Sequence, residues 1–105
     1  TQLSNEDEIL PVFENVVLHP NFPNPFNPVT TIRYDLSEDS PVSIMIYDIM
    51  GRKVKTLVNK SQNAGFKATI WDATNDLGQP VSAGIYLYTI QAGDFRQTRK
   101  MVLLK

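Results

Sequence analysis

The chain has 105 residues, of which 42% are hydrophobic, and its formal net charge is −1. This size and composition fit one domain with one modest core. The absence of cysteine excludes disulfides, thiolate zinc sites and cysteine nucleophiles. No apolar run approaches the roughly 18 residues that a membrane span needs, so membrane insertion is not expected.

The charge is distributed unevenly along the chain. Residues 1–19 hold four acidic residues and no Lys or Arg, which predicts an acidic linker. A short first strand at 15–19 is the alternative for the end of this segment. Residues 94–105 hold four cations, interleaved with apolar residues. They are too few and too spread for a phosphate-tracking patch, so nucleic-acid binding is not expected.

A proline-rich stretch, "HPNFPNPFNP", follows at residues 19–28. Asparagine recurs at every third position, which is the repeat of a polyproline II helix, and this predicts that one edge carries Asn21, Asn24 and Asn27. We expect at least one of Phe22 and Phe26 to anchor the stretch against the core. A ligand for another protein is the alternative, because aromatic grooves often bind proline-rich segments.

The rest of the chain is a series of strand patterns separated by turn-forming residues. Alternation and apolar runs predict strands at 30–36, 42–50, 54–58, 66–71, 82–93 and 95–105. The run at 42–50 is apolar on both faces, which predicts a central strand covered on both sides. Polar residues and a glycine predict a loop at 59–65. The pattern indicates an all-β fold, an immunoglobulin-like antiparallel β-sandwich of about seven strands.

Candidate catalytic groups are sparse. His19 is the one histidine, and no serine lies in a G-x-S-x-G context, so we expect a surface or strand-edge role for His19 and no enzyme activity. The loop at 72–80 offers Asp72, Asn75 and Asp76 as oxygen donors that suit calcium. The same residues cap turns through their own backbone, and the EF-hand spacing is absent. We expect turn capping and no cofactor, with a calcium site as the alternative.

Four aromatic residues have two possible roles. Tyr86 and Tyr88 lie on one side of a predicted strand, and with Trp71 and Phe95 they suggest either a sugar-stacking face or a hydrophobic core. The core is the commoner use of such residues in a small sandwich.

Four segments together resemble the type A C-terminal sorting domain of the type IX secretion system, which is similar to the immunoglobulin-like domain of flagellar hook-capping proteins. They are "NFPNPFNPVTTIRYDL", "IYDIMGRKVKTLV", "AGFKATIWDATNDLGQPVSAGIYLYTIQAG" and "RKMVLLK". The sequence departs from the family pattern at Ala73, where glycine is frequent, and at Thr69, where an aliphatic residue is frequent. The family motif positions are Pro23, Asn24, Pro25, Phe26, Asn27, Pro28, Gly51, Trp71, Asp72, Gly78, Gly84 and Tyr86.

The resemblance implies a non-catalytic address label at residues 20–105, attached to an N-terminal cargo domain. It implies passage through the periplasm, then an extracellular or cell-surface location. The implied partners are the outer-membrane translocon, its shuttle protein and a sortase-like peptidase that cuts within 1–19. We expect the translocon to recognise the last strand through Arg99, Lys100, Met101, Val102, Leu103, Leu104 and Lys105. The alternative is a structural or carbohydrate-binding module of a secreted hydrolase.

Overall fold

This computed structural model describes residues 16–104 of the chain. The described residues form seven β-strands joined by turns and loops, and no helix. The strands are β1 (Val17–Leu18), β2 (Thr30–Leu36), β3 (Ser40–Asp48), β4 (Lys53–Gln62), β5 (Gly65–Trp71), β6 (Gly84–Ala92) and β7 (Phe95–Leu103). No helix within 16–104 is long and apolar enough to cross a membrane. The acidic residues 1–15 of the predicted linker lie outside the described part, as does Lys105.

The strands form two antiparallel sheets, one of three strands in the order β1-β2-β5 and one of four in the order β4-β3-β6-β7. This confirms the predicted all-β sandwich. Strands β1, β5, β4 and β7 lie at the edges of the sheets, so a partner would meet these four first.

The core lies between the sheets and follows the alternation of the sequence. In β2, Ile32 and Tyr34 are buried and Arg33 between them is exposed. The inner residues of β3 are also buried, but Met45 and Tyr47 on its outer face are only half-buried. The expectation that β3 is covered on both faces is therefore wrong for the outer face.

Strand β4 is longer than the sequence predicts. The residues at 59–62, expected in a loop, continue the strand and pair with β3 from Asn59 opposite Ser43 to Gln62 opposite Ser40. Their polar side chains are exposed or half-buried, because this end of the strand adds main-chain pairing without adding to the core. Only Asn63 and Ala64 separate β4 from β5.

Candidate recognition surface: the proline segment and the C-terminal strand

Residues 19–28, called here the proline segment, are anchored in the core by one of their two phenylalanines. Phe26 is 2% exposed, and its ring centroid lies 5.8 Å from that of Trp71. Trp71 in turn packs edge-on against Tyr86, at 5.2 Å. Phe22 is 72% exposed, although its backbone pairs with Thr31 of β2. The prediction of at least one anchoring phenylalanine is confirmed.

The asparagines of the proline segment do not share an edge, so the predicted continuous polyproline II helix is wrong. Asn21 is buried and donates from Nδ2 to the carbonyl of Pro23, at 3.3 Å, and to Oγ1 of Thr30, at 3.0 Å. Asn24 is exposed, and its Oδ1 accepts a hydrogen bond from the amide of Val102. The chain bends at residues 23–25, and Asn21 and Asn24 bond to different parts of the domain.

A buried tyrosine fixes the start of the proline segment. The hydroxyl of Tyr88, on β6, accepts a hydrogen bond from the main-chain amide of Asn21 at 2.8 Å. It donates another to the main-chain carbonyl of His19 at 3.0 Å. Burial raises the pKa of the Tyr88 phenol, so the hydroxyl keeps its proton and both bonds at neutral pH. One side chain therefore joins the proline segment to the centre of the four-stranded sheet.

The end of the proline segment pairs with the end of β7. The amide of Phe26 donates to the carbonyl of Val102, at 3.0 Å, and the amide of Leu104 donates to the carbonyl of Phe26, at 2.8 Å. The side chain of Asn24 adds a third hydrogen bond, because its Oδ1 accepts one from the main-chain amide of Val102 at 2.9 Å. Two family motifs that lie far apart in the sequence, the "PNPF" stretch and the terminal strand, thus form one unit.

The seven residues predicted for translocon recognition have different surroundings. Met101 and Leu103 are buried in the core. Val102 and Leu104 bond to the proline segment through their main chains, as above. Arg99 donates from Nε to the carbonyl of Leu18 in β1, at 2.8 Å. Lys100 is exposed, and Lys105 lies outside the described residues. Their role in recognition stays a prediction, and the structure gives five of them contacts within the domain.

The rest of the outer edge of β7 is open. Main-chain groups of a strand point alternately to either side. Because those of Val102 point outward to the proline segment, those of Lys100, Thr98 and Arg96 also point outward. Within residues 16–104, no strand pairs with this side of β7. The side chains of Arg96 and Lys100 are exposed next to it.

The "YDIMGR" motif forms the turn between β3 and β4. The carboxylate of Asp48 accepts hydrogen bonds from the amides of Met50 and Arg52, and it accepts another from Nε of Arg52. These interactions, led by the amide of Arg52, lower the pKa of the Asp48 carboxyl. Gly51 has a φ of +85°, a left-handed conformation that glycine adopts without a steric penalty.

The loop at 72–80 uses its candidate calcium ligands to fix its own shape. Asn75 Oδ1 accepts the amides of Leu77 and Gln79, which is the predicted turn capping. Asp76 Oδ1 accepts the amide of Thr56 and so covers part of the β4 edge. Asp72 accepts from Thr74 Oγ1, which lowers the pKa of the Asp72 carboxyl.

The three residues therefore share no hydrogen-bond partner with one another. Residues 16–104 contain no group of three or more His, Cys, Asp or Glu side chains that is arranged to hold a metal ion. Calcium binding stays an untested alternative. Gly78 reverses the chain with a φ of +79°, and Gly84 begins β6.

Ala73, the first departure from the family pattern, is the one described residue other than glycine with a positive φ, at +66°. Glycine reaches this conformation without the clash that a Cβ causes, which accounts for its frequency at this family position. In this chain the methyl group is buried, so burial offsets part of that cost.

The alternative of a sugar-stacking face does not hold for these aromatic residues. Trp71, Tyr86 and Tyr88 are core residues, and Phe95 packs half-buried against the core. The core interpretation of these aromatics is confirmed.

His19 is partly exposed, with its Nε2 at 2.9 Å from Oδ2 of Asp35, in accord with the expected strand-edge role.

A family model described as "Secretion system C-terminal sorting domain" matches residues 21–104. The chain belongs to this family. The match covers the proline segment from Asn21 onward, strands β2 to β7 and the pairing of Phe26 with β7. The sorting domain is a targeting signal of the type IX secretion system, and it directs secretion to the cell surface or the extracellular space.

Solved structures share the fold of the sorting domain. Dimeric latent PorU from Porphyromonas gingivalis is 25% identical, with a TM-score of 0.67 over 94% of this chain and 10% of that chain. PorZ, a surface component of the type IX secretion system of the same bacterium, is 18% identical, with a TM-score of 0.58 over 84% of this chain and 11% of that chain. The sorting domain thus spans only about a tenth of each of these proteins.

A third structure shows that the fold alone does not define a function. It is the DNA glycosylase AlkC of Pseudomonas fluorescens bound to DNA, which is 14% identical, with a TM-score of 0.53 over 87% of this chain and 31% of that chain. Comparison with curated proteins gives no match.

Proposed function

We propose that the sorting domain carries an N-terminal cargo domain through the periplasm to the outer-membrane translocon and its shuttle protein, and that these partners bind the outer edge of β7. The observation that supports this most directly is the open row of main-chain groups at Arg96, Thr98 and Lys100. An extended receptor segment gains affinity there by adding a strand to the sheet.

Charge supplies the selectivity. Arg96 and Lys100 are exposed beside the open edge, and so an acidic receptor segment is favoured over a basic one. Arg99, Met101 and Leu103 have a different role in this proposal, because their side chains hold β7 against β1 and the core. Recognition and folding thus use opposite faces of one strand.

A later step of the proposal is removal of the domain. A sortase-like peptidase cuts within residues 1–19 and joins the cargo to the cell surface. The acidic, aromatic-poor composition of this segment supports the assignment, because protease sites concentrate in such segments. A cut before Val17 leaves all seven strands in the released domain.

The recognition edge is tested by fusing a reporter to the N-terminus of the chain in a bacterium that has a type IX system. The double variant Arg96→Glu/Lys100→Glu reverses both exposed cations, so we expect the reporter to stay in the periplasm. Lys60→Glu is the matched control, because Lys60 is an exposed cation on β4, at the opposite edge of the same sheet.

The role of the main chain is tested at one position. Lys100→Ala removes the charge only, whereas Lys100→Pro also removes an outward amide that no strand within 16–104 pairs with. We expect secretion to fall further in the proline variant, with circular dichroism verifying that both variants are folded. Full secretion of the double variant and of Lys100→Pro would refute the proposal. Deleting Met101–Lys105 is a poorer test, because Met101 and Leu103 are buried and the deletion disturbs the fold itself.

A further inference from the structure

The edge of the three-stranded sheet carries a second open row of main-chain groups, on β5. Thr31 exchanges two hydrogen bonds with Phe22, so the main-chain groups of Thr31 point away from β5. By alternation those of Ile32 point toward β5, where Ile32 lies opposite Thr69. The N–H and C=O groups of Phe66, Ala68 and Ile70 therefore point to the open side of β5, where no strand within 16–104 pairs with them.

The side chains of the same three residues are apolar and exposed. Phe66 is 91% exposed and Ile70 is 61% exposed, on the outer face of the sheet, with Ala68 exposed between them. Natural proteins usually protect such edges with charges or proline, because unpaired edges with apolar side chains bind other strands. The polar residues of β5, Lys67 and Thr69, lie on the other face of the strand.

We propose that β5 pairs with β5 of a second copy of this chain, antiparallel and centred on Ala68. A two-fold axis at Ala68 places Phe66 opposite Ile70 of the second copy and Ala68 opposite Ala68. It also places Lys67 opposite Thr69, so no like charges face each other. The three outward N–H and three outward C=O groups of each copy then form six hydrogen bonds, and the two three-stranded sheets become one sheet.

The choice of a second copy over another partner rests on this self-complementarity. The same operation applied to β7, centred on Thr98, places Arg96 opposite Lys100 twice, which is repulsive. Of these two edges, β5 therefore fits itself and β7 fits an acidic partner. A pairing of five residues buries well under the roughly 1,200 Å2 of a stable interface, so we expect a weak dimer that forms reversibly as concentration rises.

The proposal is tested by sedimentation equilibrium of the full chain from about 10 μM to about 1 mM. The average mass of the unsubstituted chain should rise from one chain toward two. Ala68→Pro removes an outward amide at the two-fold axis and leaves the pairing of β5 with β2 intact, so it should weaken association about tenfold or more. Leu77→Glu is the control, because Leu77 is 81% exposed in the loop at 72–80, and this variant should associate like the unsubstituted chain.

The register is tested by a pair of variants. Phe66→Glu and Ile70→Lys should each weaken self-association, and an equimolar mixture should restore it, because the new carboxylate of one chain then lies opposite the new ammonium group of the other. Association of the mixture supports the proposal. A monomeric mass of the unsubstituted chain at every concentration, undiminished association of Ala68→Pro, or no recovery in the mixture would each overturn it.

Discussion

Tyr88→Phe removes one oxygen atom from the core and tests how the proline segment is held. That oxygen is the acceptor for the amide of Asn21 and the donor to the carbonyl of His19, at 2.8 and 3.0 Å. The side chain of Tyr88 is fully buried, and Asn21 is 3% exposed. Without the hydroxyl, the buried main-chain amide of Asn21 loses its hydrogen-bond acceptor, and water has little access to replace it.

The expected loss of stability follows from this burial. A buried donor left without a partner costs about 1–3 kcal/mol, whereas a typical exchanged hydrogen bond contributes about 1 kcal/mol. His19 is partly exposed, so its carbonyl recovers part of its bond from water. We therefore expect Tyr88→Phe to lower the free energy of unfolding by about 2 kcal/mol.

Urea denaturation followed by tryptophan fluorescence measures this loss, because Trp71 lies in the same core. The matched control is Tyr47→Phe. The hydroxyl of Tyr47 contacts the sulfur of Met45 at 3.5 Å, and a thioether is a weak acceptor, so the expected change is within about 0.5 kcal/mol. The slope of the urea dependence should stay the same in both variants.

Equal stability of Tyr88→Phe and Tyr47→Phe would refute the reasoning, because the two hydroxyls would then contribute equally despite their different partners. Amide hydrogen exchange gives a second criterion. The amide of Asn21 should exchange faster in Tyr88→Phe than in the unsubstituted chain, and unchanged protection would show that another group holds it.

Two further predictions concern the turn between β3 and β4. Gly51→Ala should lower the free energy of unfolding by about 1–2 kcal/mol, because a Cβ at Gly51 has nothing within 4 Å and the cost comes from the φ of +85° alone; unchanged stability in urea would contradict this. Because the pKa of Asp48 is lower in the folded chain than in the unfolded one, its carboxylate stabilises the fold at any pH above the unfolded-state pKa of about 3.9. This contribution is lost as the pH falls through the lower pKa of the folded state. Asp48→Asn should therefore be less stable than the unsubstituted chain at pH 7, and the difference should shrink as pH falls in an acid titration; a difference independent of pH would contradict it.

Alternation in the sequence was sufficient to predict the strands of the core. At 30–36 the predicted and observed strands coincide, because every second residue of β2 is buried. The same signal fails at 59–62, where β4 extends beyond the core and its polar side chains leave no apolar period to detect. The sequence therefore predicted buried strands better than strand length.

The candidate recognition surface was harder to predict, because its contacts join residues far apart in the chain. No local pattern pairs Phe26 with Val102 or directs Arg99 to the carbonyl of Leu18. The resemblance identified the motifs at both ends of the domain, but only the structure shows that they bond to each other. The mixed roles of β7 were also hidden, since Arg99 and Lys100 are both cations in sequence and only Lys100 is exposed.

The pairing of Phe26 with the end of β7 also sets an order in time. Protein synthesis proceeds toward the C-terminus, and Val102 and Leu104 supply the groups that hold the proline segment, while Met101 and Leu103 complete the core. The domain therefore cannot close until translation has passed Leu104. In any fusion whose cargo precedes residue 16, a chain that terminates before Leu104 therefore lacks the main-chain groups that hold the proline segment against β7.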